Sequence, residues 1–168
     1  SMDRNSFDSG DWFNRIVWSG EVNHFGTGLP PAPDNATSWP LMRPRLAAAG
    51  LRPAPADIEW TRNAFKDLLR IRSSSTLFRL RTAADVESRL HFLNTGPDQV
   101  PEVIAGHLRG GDYPGAGFRE VLYLVNVDIV PHTLQFDGER DKHYVLHPVH
   151  RAPGAADRQA AEDSRYDA

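Results

Sequence analysis

The change of sequence pattern near residue 75 constrains the fold of this chain more than any other feature. Residues 55–73 carry a long helical signal, in which Ile58, Phe65 and Leu68 recur at helical spacing. From Leu77 onward the sequence breaks into runs of strand length, separated by turn-forming Gly, Asn, Asp and Pro. The sequence therefore predicts an α+β chain in which loop and helix come first and antiparallel strands follow.

The strand-like runs are too few to close a sandwich of their own, because two packed sheets must cover each other. We predict strands at 89–93, 103–108, 121–127, 133–136 and 143–148, a short helix at 39–48, and a tail at 151–168 that is either a surface helix or disordered. Residues 1–54 show little periodicity and contain no core. These observations predict a fragment of a larger fold, with domains 1–75 and 76–168, the second an incomplete antiparallel β-sandwich.

The composition excludes several classes of protein. A net charge of −3 provides no basic surface for nucleic acid, and the absence of cysteine excludes disulfides and thiolate metal sites. The longest apolar run, 121–130, has strand length and contains Asn126 and Asp128, so we predict no membrane segment. A neutral polysaccharide or a protein partner suits this composition and net charge better than nucleic acid does.

Several long motifs occur in a fixed order along the chain. They are Asp-Arg-Asn-Ser-Phe-Asp-Ser-Gly-Asp-Trp-Phe-Asn-Arg at 3–15, Gly-Thr-Gly-Leu-Pro-Pro at 26–31, Trp-Pro-Leu-Met-Arg-Pro at 39–44, Ile-Arg-Ser-Ser-Ser-Thr-Leu-Phe-Arg-Leu at 71–80, Phe-Leu-Asn-Thr-Gly-Pro-Asp-Gln at 92–99 and Leu-His-Pro-Val at 146–149. Together they resemble the pullulanase and limit-dextrinase family of starch-debranching enzymes, in which proline is usual at the Thr76 position. Agreement of several motifs in register is far more specific than one short match.

The resemblance implies the last loop and helix of a (β/α)8 barrel followed by a C-terminal β-domain, truncated at both ends. The family hydrolyses α-1,6-glucosidic branch points in pullulan, amylopectin and limit dextrins with two carboxyl groups about 5 Å apart. The resemblance places both on earlier barrel strands, so we expect this chain alone to be inactive, with no catalytic residue, cofactor or metal of its own. Its expected partners are the α-glucan and the missing N-terminal part of the barrel. The compartment stays open: plastid for a plant or algal source, otherwise bacterial secreted or cytoplasmic.

Asp11 and Arg15 are the main candidates for substrate contact. Their spacing of four residues places both on one face of a helical turn, where a carboxylate and a guanidinium could bind sugar hydroxyls or each other. The resemblance implies contact with the glucose beyond the cleaved one, on the non-reducing side. The alternative is an i,i+4 salt bridge that stabilises the loop.

Four further residues complete the predicted sugar-binding rim. Trp12 either stacks on a sugar ring or is buried under the loop, and Asn14 belongs to the same motif. Asp34 and Asn35 follow the Pro-Pro turn and either reach a more distant sugar or cap a turn. Asn35 also opens an Asn-Ala-Thr sequence that matches the N-glycosylation acceptor pattern, which short sequences often do by chance.

Two other classes of function remain open at this point. One is a non-catalytic carbohydrate-binding or interaction module with Trp12, Trp18 and Trp39 as binding aromatics. The other is an unrelated β-sandwich with a helical arm. Because His143 and His147 could reach one metal ion only on a helix, and their segment is strand-like, we interpret them as surface histidines.

Overall fold

The computed structural model describes Val17, Ser19 and residues 28–163, which divide into two units between Phe65 and Lys66. In the first unit the helices are α1 (Ala32–Asn35), α2 (Trp39–Ala47) and the beginning of α3 (Pro55–Ser74), with short 3-10 turns at Ala36–Ser38 and Ala49–Leu51. The helices predicted at 39–48 and 55–73 are confirmed. Prolines occupy early positions of α1 and α2, where a missing N–H costs no helical hydrogen bond.

Helix α3 begins with a local cap. Its first turn contains Asp57, whose Oδ2 accepts a hydrogen bond from the Ala54 N–H at 2.8 Å. Arg72 lies in the last turn, so the charges at both ends interact favourably with the helix dipole. These end signals explain why the sequence prediction located α3 to within one residue.

The second unit continues from α3 into a small antiparallel sheet. Its further elements are a 3-10 turn at Thr76–Arg79, α4 (Ala83–Arg89), β1 (Leu90–Phe92), β2 (Val103–Arg109), β3 (Glu120–Asn126), a 3-10 turn at Asp137–Glu139, α5 (Pro148–Arg151) and α6 (Arg158–Asp163). The strand order is β1-β2-β3, with Leu90 opposite Leu108 and Gly106 opposite Tyr123. The predicted strands 89–93, 103–108 and 121–127 are confirmed.

The core of this unit covers one face of the sheet. Leu77, Leu108 and Ala116 are buried together, and partly buried side chains pack around them: Phe78, Leu80, Leu90, Tyr113, Phe118, Val121 and Tyr123. Gly106 in β2 accommodates the Tyr123 ring of the neighbouring strand, because a Cβ there would collide with the ring unless the ring moved.

Two predicted strands, 133–136 and 143–148, are wrong. Neither segment joins the sheet ladder, and 143–148 ends where α5 begins at Pro148. The segment 137–144, which overlaps the second of these predictions, is attached to β2 and β3 through side chains and not through backbone pairing. The tail that was predicted as helical or disordered contains α6.

The α+β class is confirmed, and the residues that the structure describes contain a single three-stranded antiparallel sheet. None of the helices in that part of the chain combines the length and apolar character that a membrane span requires.

Candidate functional site

The segment 28–39 contains Asp34 and Asn35, the two residues of the predicted sugar-binding rim that the structure describes. Its backbone turns at Pro30-Pro31 and enters α1, and two side chains from the following residues hold the turn. The indole Nε1 of Trp39 donates to the Pro30 carbonyl at 2.9 Å, and Nδ2 of Asn35 donates to the Pro31 carbonyl at 2.9 Å. Pro30 and Asn35 are fully buried, while the guanidinium of Arg43 lies 5.9 Å from the Trp39 ring.

Asp34 and Asn35 are neighbours in the chain, but their surroundings differ. Asp34 is exposed in the first turn of α1, whereas Asn35 has no solvent-exposed surface. A buried amide that donates to Pro31 is not accessible for glycosylation in this conformation. The predicted site residues Asp11, Trp12, Asn14 and Arg15 lie outside the described residues.

A second polar cluster lies in the other unit, on the face of the sheet opposite its apolar core. His107 is 1% exposed on β2; its Nε2 lies 3.3 Å from Oε2 of Glu120, and its Nδ1 lies 3.5 Å from Oε1 of Glu139. Lys142 Nζ meets the same two carboxylates at 2.8 Å and 3.1 Å. The Tyr144 hydroxyl donates to both of them. We call these five residues the His107 network.

The electrostatics of the His107 network favour ionised carboxylates. The hydrogen bond from Lys142 is the main cause that lowers the pKa of Glu120. Burial alone would raise the pKa of Glu139, but bonds from Tyr144 and Lys142 outweigh it, so the pKa is lowered. The Glu120 carboxylate in turn raises the pKa of Lys142, and burial raises that of Tyr144. Each partner therefore holds the other in its charged or hydrogen-bonding form.

The arrangement of the His107 network does not suit glycoside hydrolysis. A retaining glycosidase needs one carboxyl group that keeps its proton near neutral pH and a second that attacks the sugar. Glu120 and Glu139 both have lowered pKa values and share one ammonium group. Their geometry attaches the 137–144 segment to the sheet.

Two groups of side chains have donor atoms close enough for a metal ion, within 4.8 Å of one another. They are the set His107, Glu120, Glu139 and the more exposed set Glu102, Asp128, His132. In the first set the Lys142 ammonium already lies where a cation would bind. In the second, His132 Nε2 and Asp128 Oδ2 pair at 2.8 Å, which lowers the pKa of Asp128.

An open groove of about 870 Å³ lies beside β3 in the same unit. Its lining includes Phe78, Tyr123, Tyr144 and Leu146 together with His150 and Arg151. Such a mixture of aromatic and polar groups is typical of binding clefts, although no lining residue has a geometry that implies chemistry.

His147, which we interpreted as a surface histidine, is partly buried. It caps α5 by accepting from the Val149 N–H, and its Nε2 lies 3.1 Å from the Ser74 hydroxyl at the end of α3. Burial lowers its pKa, which favours the neutral ring that this cap requires. His143 is exposed, as expected.

Residues 20–168 match the family model for the C-terminal region of pullulanase-type α-1,6-glucosidases. The chain belongs to this family. The pullulanase-type match includes Asp34 and Asn35 as well as the whole sheet. The resemblance drawn from the sequence motifs is confirmed.

Three pullulanases are similar to this pullulanase-type chain. Pullulanase 1 of Arabidopsis thaliana, a chloroplast protein, is 40% identical over 156 residues, which is 89% of this chain and 16% of the plant protein. The pullulanase of Klebsiella aerogenes is 35% identical over 59% of this chain and 9% of its own length, and that of Klebsiella pneumoniae is 32% identical over 69% and 11%. The chain thus spans about a sixth or less of the length of these relatives.

Sequence reasoning did not find the His107 network. Its members lie in segments separated by up to 37 positions, and none carries a local motif. The one available signal was the alternation of β2, which places His107 on the same face as the buried Val103 and Ala105. A histidine that follows two buried apolar residues on the same face of a strand requires a buried polar partner.

Proposed function

We propose that this chain is the C-terminal part of an enzyme that hydrolyses α-1,6-glucosidic branch points in pullulan, amylopectin and limit dextrins. The observation that carries the proposal is the pullulanase-type family match over residues 20–168 together with 40% identity to a plant pullulanase. Its partners are then the α-glucan and the N-terminal part of the same barrel. A soluble chain of net charge −3 suits a neutral substrate.

We further propose that residues 1–75 are the end of the catalytic (β/α)8 barrel and that 76–168 belong to an incomplete β-sandwich. Support comes from α3, whose apolar side chains are exposed: Phe65 by 61%, Leu68 by 59% and Leu69 by 49%. A helix that exposes three large apolar residues at i, i+3 and i+4 has the stripe by which barrel helices pack onto strands.

Catalysis is proposed to depend on carboxylates outside this chain. The described side chains support this view, because Glu120 and Glu139 are neutralised by Lys142 and neither is suited to donate a proton at neutral pH. The chain alone is then inactive, and its role is to shape substrate binding.

The sugar-binding rim is proposed to consist of Asp11, Trp12, Asn14, Arg15 and the Asp34–Asn35 turn. In a barrel enzyme the loops that follow the strands form the active site, and the resemblance places residues 3–15 after the eighth strand. Asp34 supports the proposal by its exposure, whereas the buried Asn35 can act only through the conformation of the turn.

The test of the rim uses Asp11→Ala and Arg15→Ala in the full-length enzyme. A hydrogen bond to a charged group contributes about 1.5–3 kcal/mol, so each variant should lower kcat/KM on pullulan by about one to two decades. The double variant should lose less than the sum, because each residue orients the other. Lowered Tm with near-normal kcat/KM would instead identify a structural salt bridge.

A second candidate function is a non-catalytic glucan-binding module, which the groove beside β3 favours through Tyr123 and Tyr144. Affinity electrophoresis of the 168-residue chain in gels containing pullulan distinguishes the two. Retarded migration, abolished by Tyr123→Ala but not by Trp60→Ala, would support the module.

A further inference from the structure

The turn at Pro30-Pro31 has its two carbonyl groups held by two different side chains. Trp39 Nε1 donates to the first carbonyl and Asn35 Nδ2 donates to the second, each at 2.9 Å. Both donors come from residues that follow the turn, at separations of nine and four positions. The turn is therefore attached to the helices that succeed it.

These two bonds restrain the backbone angles that proline leaves free. A proline ring fixes φ near −65°, so ψ is the main remaining freedom at Pro30 and Pro31. A hydrogen bond to each carbonyl orients the peptide plane that ψ controls. At Pro31 the observed angles are φ −51° and ψ 134°, directly before α1.

Burial makes these bonds costly to break. Asn35 and Pro30 are fully buried, so water cannot replace a hydrogen bond that the Asn35 amide loses. Asn35 is thus bound inside the turn, while the preceding residue, Asp34, remains exposed in the first turn of α1. The direction in which the Asp34 side chain points therefore depends on the conformation of the Pro30-Pro31 turn.

We propose that Asn35 and Trp39 are positioning residues, which fix the Pro30-Pro31 turn so that Asp34 meets hydroxyl groups of an α-glucan in a preorganised geometry. Binding to a preorganised group avoids the entropy cost of ordering it. The inference rests on the proposed function, and it assigns to Asn35 a role through the turn in place of direct contact with sugar.

The experiment compares Trp39→Phe, Asp34→Ala and the double variant in the full-length enzyme, with pullulan as substrate. Trp39→Phe keeps an aromatic ring near Arg43 and removes only the donor to Pro30. The loss of one hydrogen bond and the resulting mobility should raise KM about three- to tenfold with kcat within about twofold. Asp34→Ala should raise KM by a similar factor, and the double variant should be no worse than Asp34→Ala alone.

The matched control is Trp60→Phe, the same chemical change at an exposed tryptophan of α3, which should leave KM and kcat unchanged. If Trp39→Phe proves poorly folded, Asn35→Ser replaces it, because it removes the donor to Pro31 without adding charge. Effects on KM that multiply in the double variant would overturn the inference, as would a lowered Tm with normal KM. A full-length protein that does not cleave pullulan would overturn the proposed function and this inference together.

Discussion

Lys142 should stabilise the attachment of the 137–144 segment to the sheet, and Lys142→Met tests this directly. Its ammonium group meets the Glu120 and Glu139 carboxylates at 2.8 Å and 3.1 Å, with side-chain exposures of 31%, 24% and 11% for lysine and the two glutamates. Fully exposed pairs contribute about 0.2–1 kcal/mol, and charged hydrogen bonds in buried sites about 1.5–3 kcal/mol. For this partly buried pair of bonds we expect a loss of about 2 kcal/mol at pH 7.

The assay is hydrogen exchange of the β2 and β3 amides in the full-length protein, read by mass spectrometry. A loss of about 2 kcal/mol corresponds to about 30-fold faster exchange in these strands when reclosing is much faster than chemical exchange, because the exchange rate then follows the opening equilibrium. Lys142→Arg should restore most of the protection, because it retains the charge. Arg140→Met is the matched control: the Arg140–Asp137 pair is 70% and 93% exposed, and its loss should change protection by less than about 0.5 kcal/mol.

The loss of stability caused by Lys142→Met should change with pH in a defined direction. In the native protein the pKa values of Glu120 and Glu139 lie below their usual value of 4.5, so their contribution is complete above that pH and is lost as pH falls through the lowered values. Without Lys142, burial and mutual repulsion raise these pKa values, and stability is then lost as pH rises. The penalty of Lys142→Met should therefore shrink from pH 7 to pH 5. A penalty that grows over this range, or one no larger than that of Arg140→Met, would contradict this role of Lys142.

Two further variants test the packing of the second unit. Asp67 is 3% exposed, and the Ala156 N–H is the main cause that lowers its pKa. Asp67→Asn should therefore speed proteolysis of the tail at neutral pH, whereas in the native chain the same loosening should begin only below about pH 4. Equal cleavage of the variant and the native chain at pH 7 would contradict this. Gly106→Ala should lower stability by about 1–3 kcal/mol because its methyl group meets the Tyr123 ring, while Gly138→Ala, with no neighbour within 4 Å, should be nearly neutral by thermal unfolding.

Local signals in the sequence located most of the regular structure. Helix α3 has apolar spacing and charged ends, and β2 and β3 are runs of seven residues rich in Val, Ile and Leu, so both kinds of element were predictable within one or two residues. Helix α4 was missed, although its start carries a local cap: the Thr82 hydroxyl accepts from the Asp85 backbone N–H and donates to the Asp85 carboxylate.

The strand prediction for residues 143–148 failed because the conformation of this segment depends on distant side chains. Residues 143–148 have strand-like composition, but Tyr144 bonds to Glu120 and Glu139 through its hydroxyl, and Pro148 begins a helix. The composition of a segment indicates which secondary structure it favours in isolation, whereas these contacts join residues up to 24 positions apart.

The candidate site was predictable only in part, for the same reason. The sequence indicated Asp34 and Asn35 as one pair, but burial separates their roles, since Asn35 is enclosed and Asp34 is exposed. Burial of a polar residue in a turn depends on neighbours such as Trp39, whose indole bonds to the Pro30 carbonyl although the two residues are nine positions apart.

We proposed that this chain is part of a debranching enzyme whose catalytic carboxylates lie outside the chain. The most direct measurement is release of reducing sugar from pullulan by two purified samples, the full-length protein and the 168-residue chain, at equal molar concentration. We expect maltotriose from the full-length protein and no release above background from the chain. Hydrolysis by the chain, lost in an Asp11→Ala variant purified in the same way, would contradict it, as would a full-length protein without activity on pullulan.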